Sequence, residues 1–432
     1  MLILVTFLLS PELYAQLKVS AELRNRGEAN HGYRDIPIES SQTAYFMSQR
    51  TRLNLAFRKD KFNTYISVQD VRLWGQEDLA SKTGVQVSSM GLDVSQAWLD
   101  WNFAQNWGLK MGRQIWSYDD GRILATRNWN QTALSWDALL LHLDKDDFHF
   151  HFGSSFNNTF ILFDPSKFVM EDNPYEDPYQ YRIRYFNFIW AKFQASKTFN
   201  ISFSEYLASY LGKNTTSTFY NLSTTGIHLD YHAEKLKIIA NAYYQYGKKT
   251  AGENGNAYMT TISGTYKLHK FTLGLGYDYL SGYKYSESST GNNSRAFDLM
   301  YGGSHKFYGW MNYYLLTKDT KEGGLVDLYP SAKWTINKKH SLYMIYHMHW
   351  LAQQVGADYV GGDYSYLNKT LGGELNINYT YKYDKSFNIQ MFAGYYFATE
   401  TAEFVKGISR AQSTSPYWVS LMLTYKPVLF KN

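Results

Sequence analysis

Apolar and polar residues alternate along most of the chain in segments of about ten residues. In residues 371–383 every second position is apolar, glycine or tyrosine, while Glu374, Asn376 and their in-phase neighbours are mostly polar. Residues 18–26 and 148–155 alternate in the same way. A period of two is typical of β-strands whose two faces meet different surroundings. The pattern therefore predicts an all-β protein.

Two kinds of connection separate these segments in strict alternation. Short charged turns are expected at residues 59–61, 104–106, 144–147, 195–197, 233–235, 269–270, 337–339 and 384–386. Long loops rich in Gly, Ser, Asn and Asp are expected at residues 27–43, 75–90, 119–134, 158–181, 209–220, 247–256, 280–323, 352–368 and 399–415. This arrangement predicts one transmembrane, up-and-down antiparallel β-barrel of about 18 strands, with short periplasmic turns, long extracellular loops and an aqueous lumen.

The N-terminal residues resemble an export signal. An apolar stretch from Leu2 to Leu9 precedes Pro11 and the sequence Leu-Tyr-Ala that ends at Ala15. We expect residues 1–15 to be a cleaved signal peptide, although the usual positive charge before the apolar stretch is missing, and a buried strand is the alternative. Residues 16–432 then form the barrel, in the outer membrane of a Gram-negative bacterium.

Composition narrows the class of protein. Aromatic residues make up 18% of the chain, mean hydropathy is −0.42, and no apolar run reaches the roughly 20 residues of a membrane helix, so disorder and a helical membrane bundle are excluded. The absence of cysteine excludes disulfides, thiolate metal sites and cysteine nucleophiles. Tyrosines at strand ends favour the aromatic girdles of a membrane barrel over a secreted glycan-binding β-sandwich, which remains an alternative.

Charged residues within strands should point into the lumen, because a charge facing lipid near the midplane costs about 2–4 kcal/mol. This rule assigns to the lumen Arg24, Arg26, Arg50, Arg52, Arg72, Arg113, Arg182 and Arg184, with Glu22, Asp70, Asp100, Asp137 and Glu374. Turning Asp70, Arg72 and Arg113 inward requires bulges or bends at Gln69 and near Gly112. The arginine excess favours a path for anions, whereas arginine–carboxylate pairing that holds the wall together is the alternative.

Several motifs resemble the alginate-export family of outer-membrane barrels. They are QRTRLNL (49–55), QDVRLWGQ (69–76), GRQIWSYDDGR (112–122), RNWNQT (127–132), SWDALLL (135–141) and FDLMYGGSHKFYGWMNYY (297–314). The resemblance implies a monomeric eighteen-stranded barrel whose electropositive constriction passes an anionic uronate polysaccharide. It implies constriction residues at Arg50 or Arg52, Asp70, Arg72, Arg113, Arg122, Arg127 and Asp137. Residues 119–132 would fold inward over the pore, with an ordinary surface loop as the alternative.

These features favour a porin that passes anionic solutes or saccharides by passive diffusion. The predicted path comprises Arg24, Arg50, Arg52, Asp70, Arg72, Asp100, Arg113, Arg122, Arg127, Asp137 and Glu374. A barrel-embedded surface hydrolase is an alternative, but no Ser-His-acid spacing singles out catalytic residues, so we expect no enzyme. His347 with His349, or His149 with His151, could share a metal, but the sequence offers no evident third ligand. We therefore expect no metal or cofactor.

The expected partners follow from this function. They are outer-membrane lipid around a monomeric barrel, an anionic solute or polysaccharide in its lumen, and export proteins that could dock on its periplasmic turns. Nucleic acid is not expected, because 43 Lys and Arg residues are nearly balanced by 38 Asp and Glu residues and form no basic tract.

Overall fold

A computed structural model of the protein describes residues 16–75, 92–156, 183–211, 218–249, 252–284, 293–356, 367–408 and 413–432. It also gives the backbone of two small hairpins, Ala80–Ser81 with Val85–Gln86 and Asp358–Val360 with Asp363–Ser365. The predicted signal peptide and Arg182 lie outside the described residues. Within these ranges, no helix has both the length and the apolar character needed to cross a membrane.

Eighteen antiparallel strands of the described chain form one closed sheet. They are β1 (Gln16–His31), β2 (Ala44–Lys59), β3 (Phe62–Leu73), β4 (Asp93–Ala104), β5 (Trp107–Gln114), β6 (Trp136–Lys145), β7 (Phe148–Phe156), β8 (Ile183–Ser196), β9 (Phe199–Leu211), β10 (Phe219–His232), β11 (Leu236–Lys248), β12 (Asn254–Leu268), β13 (Phe271–Leu280), β14 (Leu325–Thr335), β15 (His340–Trp350), β16 (Thr370–Lys382), β17 (Phe387–Ala398) and β18 (Tyr417–Tyr425). Each strand pairs with its sequence neighbours, and β18 pairs with β1. The predicted barrel is confirmed, and its closure excludes the β-sandwich.

The two faces of each strand differ as the alternation predicts. In β1 the side chains of Glu22, Arg24 and Arg26 are buried inside the barrel, whereas Leu23 is 37% exposed on the outside. The exposed outer belt continues around the barrel with Leu53, Phe203, Ile262, Leu275, Met391 and Leu421. A continuous apolar belt of this kind is stable in contact with lipid.

The connections also match the prediction. All eight short connections join strands at one end of the barrel, here called the turn end, and the strand ends joined by the nine longer connections lie at the other, the loop end. The long connections contain a two-residue strand, Asn293–Ser294, a 3₁₀ turn, Thr317–Thr320, and helix α1, Glu400–Lys406. The hydroxyl of Thr399 accepts a hydrogen bond from the Ala402 N–H and caps α1, and Gly407, at φ 72°, ends it.

The chain continues past the last barrel strand, and this extension seals the closure. After Pro427, strand β19 (Val428–Lys431) pairs with the start of β1, with Lys431 opposite Lys18. The Pro427 carbonyl accepts a hydrogen bond from the Ala21 N–H at 3.1 Å. Residues beyond Tyr425 therefore extend the pairing of β1 to its N-terminal end.

The bulge predicted at Gln69 lies one strand away. The β3–β4 register shifts at Ser95, which is the extra residue opposite Ser67 and Val68. Strand β3 itself keeps a regular alternation, so Ser67 and Gln69 are buried inside the barrel and Asp70 stays on the outer face.

No register shift occurs near Gly112 either. Strands β4 and β5 pair regularly from Ala97 opposite Arg113 to Trp101 opposite Leu109. A bulge that the pattern did not predict occurs in β16, where Leu371 is the extra residue. Leu371 was expected on the lipid face but is fully buried.

Two segments from the loop end fill part of the lumen that was expected to be aqueous. We call residues 115–135 the first inner segment and residues 293–324 the second inner segment. The side chains of Trp116 and Leu124 from the first, and of Met311 and Tyr313 from the second, belong to one buried apolar cluster inside the barrel. The two segments also bond to each other, because the Ala125 N–H donates to the Tyr301 carbonyl at 3.1 Å.

Candidate functional site in the barrel lumen

Four arginines stand on the inner faces of β1 and β2, because residues two apart in a strand share a face. We call Arg24, Arg26, Arg50 and Arg52 the arginine ladder. Arg24 lies directly opposite Arg50, and all four residues are 0–7% exposed. Glu28 pairs with Arg26 at 2.8 Å, and Glu22 pairs with Arg50. The ladder thus carries more positive than negative charge.

The ladder binds the first inner segment through its backbone. Arg24 donates from Nη1 to the Asn128 carbonyl at 2.8 Å and from Nη2 to the Asn130 carbonyl at 2.6 Å. Its Nε donates to the Gln131 side chain at 2.9 Å. Arg50 donates to Asn128 Oδ1 at 2.9 Å. The inward fold expected for residues 119–132 is therefore present, and Arg24 and Arg50 are occupied in holding it.

The remaining ladder residues extend the same contact. Arg26 donates to the Trp129 carbonyl at 2.9 Å, and its guanidinium lies 4.7 Å from the centre of the Trp129 ring. Arg52 donates to Gln69 Oε1 at 2.8 Å and to Asn128 Oδ1 at 3.3 Å. Every ladder arginine thus contacts residues 128–131.

Arg122 binds a different wall of the lumen. Its guanidinium forms a two-pronged ion pair with Asp278 of β13, at 2.5 and 3.0 Å, and donates to the hydroxyls of Tyr308 and Tyr329. It also lies 3.7 Å from the centre of the Phe307 ring. Burial is the largest influence and lowers the pKa of Arg122, but the Asp278 carboxylate, together with Tyr308, Tyr329 and Asp120, outweighs it and raises this pKa well above its usual value. Arg122 is therefore a permanently charged anchor.

Glu374, on the inner face of β16, supports the second inner segment. Its Oε1 accepts a hydrogen bond from the Met311 N–H at 2.8 Å, and the residue is fully buried. The approach is close, because a Cβ atom at Gly309, where φ is 89°, would lie 2.3 Å from Glu374 Oε2. Glu374 thus faces the lumen as expected, although loop backbone covers it.

Two further predicted residues also lie inside the barrel. Asp100, near the turn end, is 3.0 Å from His142 Nε2 and belongs to a polar cluster around Asp144. Arg127, in the first inner segment, donates to the carbonyls of Gly302 at 2.9 Å and Met300 at 2.9 Å. Asp100 therefore lies inside the barrel near the turn end, and Arg127 joins the two inner segments.

The lumen positions predicted for Asp70, Arg72, Arg113 and Asp137 are wrong. Asp70 and Arg72 pair with each other at 2.6 Å on the outer face, opposite Thr51 and Gln49 of β2. Arg113 and Asp137 lie opposite each other on the outer face of β5 and β6, with 3.5 Å between Nη1 and Oδ2.

Their position explains why the inward rule fails. All four residues lie near the loop ends of their strands, where the free energy of a lipid-facing charge falls to about 0–1 kcal/mol, and each pair neutralises itself. A bulge is then unnecessary, and the regular alternation continues to the end of the strand.

An open pocket lies between the two inner segments. Among its described lining residues are Arg34, Arg122 and Arg127, and none of the described lining residues is Asp or Glu. In the described part of the chain, no carboxylate forms an ion pair with the Arg34 guanidinium. The Arg34 backbone is left-handed, with φ 72°, and its N–H donates to the Met311 carbonyl at 2.9 Å. Arg34 is thus a cation held at the pocket.

The sequence analysis missed three residues of this region. Asp278 and Asp327 lie opposite each other on the inner faces of β13 and β14. The alternation of Leu275, Tyr277 and Tyr279 on the outer face of β13 could have placed Asp278 inside. Arg34 lies in a loop, where no periodic pattern indicates a direction.

Comparison with known proteins gives two findings. The sequence matches the family model described as Alginate export over residues 15–412. The structure resembles OccAB1 of Acinetobacter baumannii, with a TM-score of 0.63, 11% identity, and coverage of 96% of this chain and 97% of the other. It resembles OccAB4 of the same organism (TM-score 0.62, 11% identity, 97% and 100% coverage) and OccK3 (OpdO) of Pseudomonas aeruginosa (TM-score 0.59, 11% identity, 96% coverage of both chains). No curated protein matches the sequence.

Proposed function

Because the protein belongs to the alginate export family, we propose that anionic solutes, or saccharides such as uronates, diffuse passively through its lumen. The family and the closed eighteen-stranded barrel make it an outer-membrane channel for solutes. We further propose that it is a monomer in the outer membrane of a Gram-negative bacterium, with its turn end in the periplasm and its loop end outside. It belongs to a channel family, and we propose that it has no enzymatic activity.

The lining of the pocket between the inner segments carries this proposal. Arg34, Arg122 and Arg127 line it without a carboxylate among the described lining residues. Asp278 already neutralises Arg122, and the hydrogen-bond donors of Arg127 are taken up by carbonyl groups, so Arg34 supplies the guanidinium that a passing solute can bind. A guanidinium recognises carboxylate or phosphate through paired hydrogen bonds. The pocket therefore favours anions over cations.

The same geometry keeps binding weak enough for transport. Conduction requires that an anion leave as readily as it enters, so a deep cluster of free arginines would trap it. Here the ladder arginines donate to residues 128–131 and contribute a positive potential at a distance. Such a potential raises the local concentration of anions without fixing them in one place.

Planar-bilayer recordings of the purified protein in a salt gradient test the proposal. We expect the reversal potential of the wild type to indicate anion selectivity. Arg34→Gln should lower the anion-to-cation permeability ratio by about twofold to threefold, since one charge in a narrow pore changes the local potential by on the order of one kT. Arg113→Gln makes the same chemical change on the outer face and serves as the matched control.

Three outcomes would contradict the proposal. They are cation selectivity of the wild type, absence of conductance, and an equal loss of selectivity in both variants. Selectivity that survives Arg34→Gln unchanged would remove Arg34 from the path.

A further inference from the structure

A buried cluster of metal-ligating side chains lies on the inner wall formed by β14 and β15. Asp327 of β14 and His347 and His349 of β15 each offer one ligand atom, and these atoms all lie within 4.8 Å of one another. We propose that these three residues bind one divalent transition-metal ion of the Zn²⁺ class.

The sheet itself assembles the site. His347 and His349 are two residues apart and therefore share a face. Asp327 lies directly opposite His349, and Glu374 lies directly opposite His347. Side chains at directly opposite positions of an antiparallel pair have Cβ atoms about 4.5–5.5 Å apart. Strands β14 and β15 thus bring two imidazoles and one carboxylate together, and Glu374 lies on the neighbouring strand.

One ring nitrogen of each histidine faces the Asp327 carboxylate. His347 Nδ1 lies 2.8 Å from Asp327 Oδ2, and His349 Nε2 lies 3.6 Å from Asp327 Oδ1. An ionised carboxylate can only accept hydrogen bonds, so a proton lies between His347 Nδ1 and Asp327 in the metal-free protein. A metal ion bound at these three atoms would displace that proton, because an imidazole nitrogen must be deprotonated to bind a metal.

An unusual number of buried polar atoms in this cluster lack partners. Within the described part of the chain, no hydrogen bond is made by either ring nitrogen of His349, by Nε2 of His347, by Oδ1 of Asp327 or by Oε2 of Glu374. All four residues are at most 2% exposed. Leaving one such atom unpaired costs about 1–3 kcal/mol, so five in one place require an explanation. A metal ion bound by Asp327 Oδ1 and His349 Nε2 would satisfy two of them together.

A second histidine cluster provides a contrast. Near the turn end, His142 and His149 lie 2.8 and 2.7 Å from the two oxygens of Asp144, and His151 lies 3.3 Å from Asp144 Oδ1. Asp144 is about half exposed there, with 47% of its side chain accessible. Those polar groups have partners or solvent, so that cluster needs no metal to satisfy it.

The donor set selects the class of metal. Two imidazole nitrogens with carboxylate oxygens suit Zn²⁺, Co²⁺ or Ni²⁺, whereas Ca²⁺ and Mg²⁺ prefer sites made of oxygen alone. In a tetrahedral Zn²⁺ site with bonds of about 2.0–2.1 Å, neighbouring ligand atoms are about 3.3 Å apart. The separations here, from 2.8 Å to at most 4.8 Å, bracket that value. Small side-chain rotations would therefore close the site.

Metal binding by the full-length, untagged protein in detergent micelles tests the inference. After removal of metals with a chelator, we expect calorimetric titration to give one Zn²⁺ per chain, and Co²⁺ to give the visible absorption bands of a tetrahedral site. His349→Gln and Asp327→Asn should each weaken Zn²⁺ binding at least about tenfold, as loss of supporting groups alone has that effect. His340→Gln is the matched control. His340 lies on the outer face of the same strand, where its Nδ1 contacts the Tyr379 hydroxyl at 2.6 Å, and it does not belong to the cluster.

Two results would overturn the inference. The first is a folded wild-type protein that binds no stoichiometric Zn²⁺, and the second is equal binding by the wild type and both cluster variants. Heat-dependent gel mobility checks the folding of each variant, and two variants at different strands guard against failure of one to fold. Ion selectivity does not enter either readout, so this test is independent of the proposed function.

Discussion

Two walls of the lumen hold the inner segments with opposite chemistry. On β1 and β2 the arginine ladder donates hydrogen bonds to the carbonyls of residues 128–130. On β13 and β16 the wall accepts instead, since Asp278 binds the Arg122 guanidinium and Glu374 accepts from the Met311 N–H. One wall is therefore basic and the other acidic.

The difference between the walls reflects which hydrogen-bonding groups of the inner segments face each of them. Backbone groups that enter a barrel lose water and must find partners inside it. Residues 128–130 turn carbonyl oxygens toward the wall and need donors, whereas Met311 and Arg122 present donors and need acceptors. The charge of each wall is thus matched to the groups that it holds.

The positions of the basic and acidic walls also affect transport. The basic and acidic walls are separated around the sheet by β17 and β18. An anion between them is attracted to one side and repelled from the other, so the field acts across the lumen as well as along it.

The largest effect is expected when the acidic wall loses its partner. Arg122→Met should leave Asp278 buried without a counter-charge, and breaking a buried ion pair from one side destabilises a protein by about 3–5 kcal/mol. The free energy of unfolding in urea, measured in lipid or detergent, should fall by about that amount.

A double variant provides the control for this prediction. Arg122→Met with Asp278→Leu removes both charges, and well-packed apolar replacements of buried ion pairs are often neutral in stability. Most of the loss should therefore be recovered. If Arg122→Met alone is as stable as the wild type, the acidic wall does not hold the inner segments.

A smaller effect is expected at the basic wall. Arg24→Lys keeps the charge but cannot reproduce the forked set of bonds to Asn128, Asn130 and Gln131. Since hydrogen bonds to charged groups contribute about 1.5–3 kcal/mol each, we expect a loss of about 2–3 kcal/mol. The first inner segment should loosen, so single-channel conductance should rise while anion selectivity is kept.

The matched control is Arg72→Lys, the same change in an exposed pair on the outer face. An exposed ion pair contributes little to stability, so this variant should leave conductance unchanged. Equal conductance in wild type and Arg24→Lys would mean that the ladder does not position the segment.

The strands could be predicted because their signal is local. Period-two alternation and turn residues place each strand, and the lipid–lumen contrast decides the faces, so Glu22 and Arg24 were assigned correctly. The inward rule failed at Arg113 and Asp137 because it describes the midplane, whereas this pair lies at the loop end. The alternation of apolar and polar residues does not show how deep in the membrane a residue lies.

The inner segments could not be predicted in detail, since their contacts are distant in sequence. Arg24 meets Asn128 across more than 100 residues, and Arg122 meets Asp278 across more than 150. The family resemblance indicated an inward loop but no partner. Asp327, the third ligand beside His347 and His349, is brought there by the pairing of β14 with β15. Alternation within one strand does not predict which residues of two strands lie opposite each other.

The smallest effect concerns His305, where the two inner segments touch. Its ring stacks on Trp129, with 3.7 Å between ring centres and 6° between planes. Burial, with a further contribution from the positive charge of Arg26, holds the pKa of His305 well below its usual value. Because the released segment would take up a proton first, the contact is fully stable above about pH 6.5 and weakens as pH falls toward the lower, folded-state pKa.

This contact should therefore add a pH dependence that neither wall supplies. Below about pH 6.5 the free energy of unfolding should fall by about 1.4 kcal/mol per pH unit from this residue alone. His305→Gln stays neutral and can still donate to the Trp310 carbonyl, which His305 Nδ1 contacts at 2.7 Å. Urea unfolding at about pH 7.5 and 5.5 should show a shallower pH slope in the variant. Equal slopes would place the acid sensitivity in the walls and not in the contact between the segments.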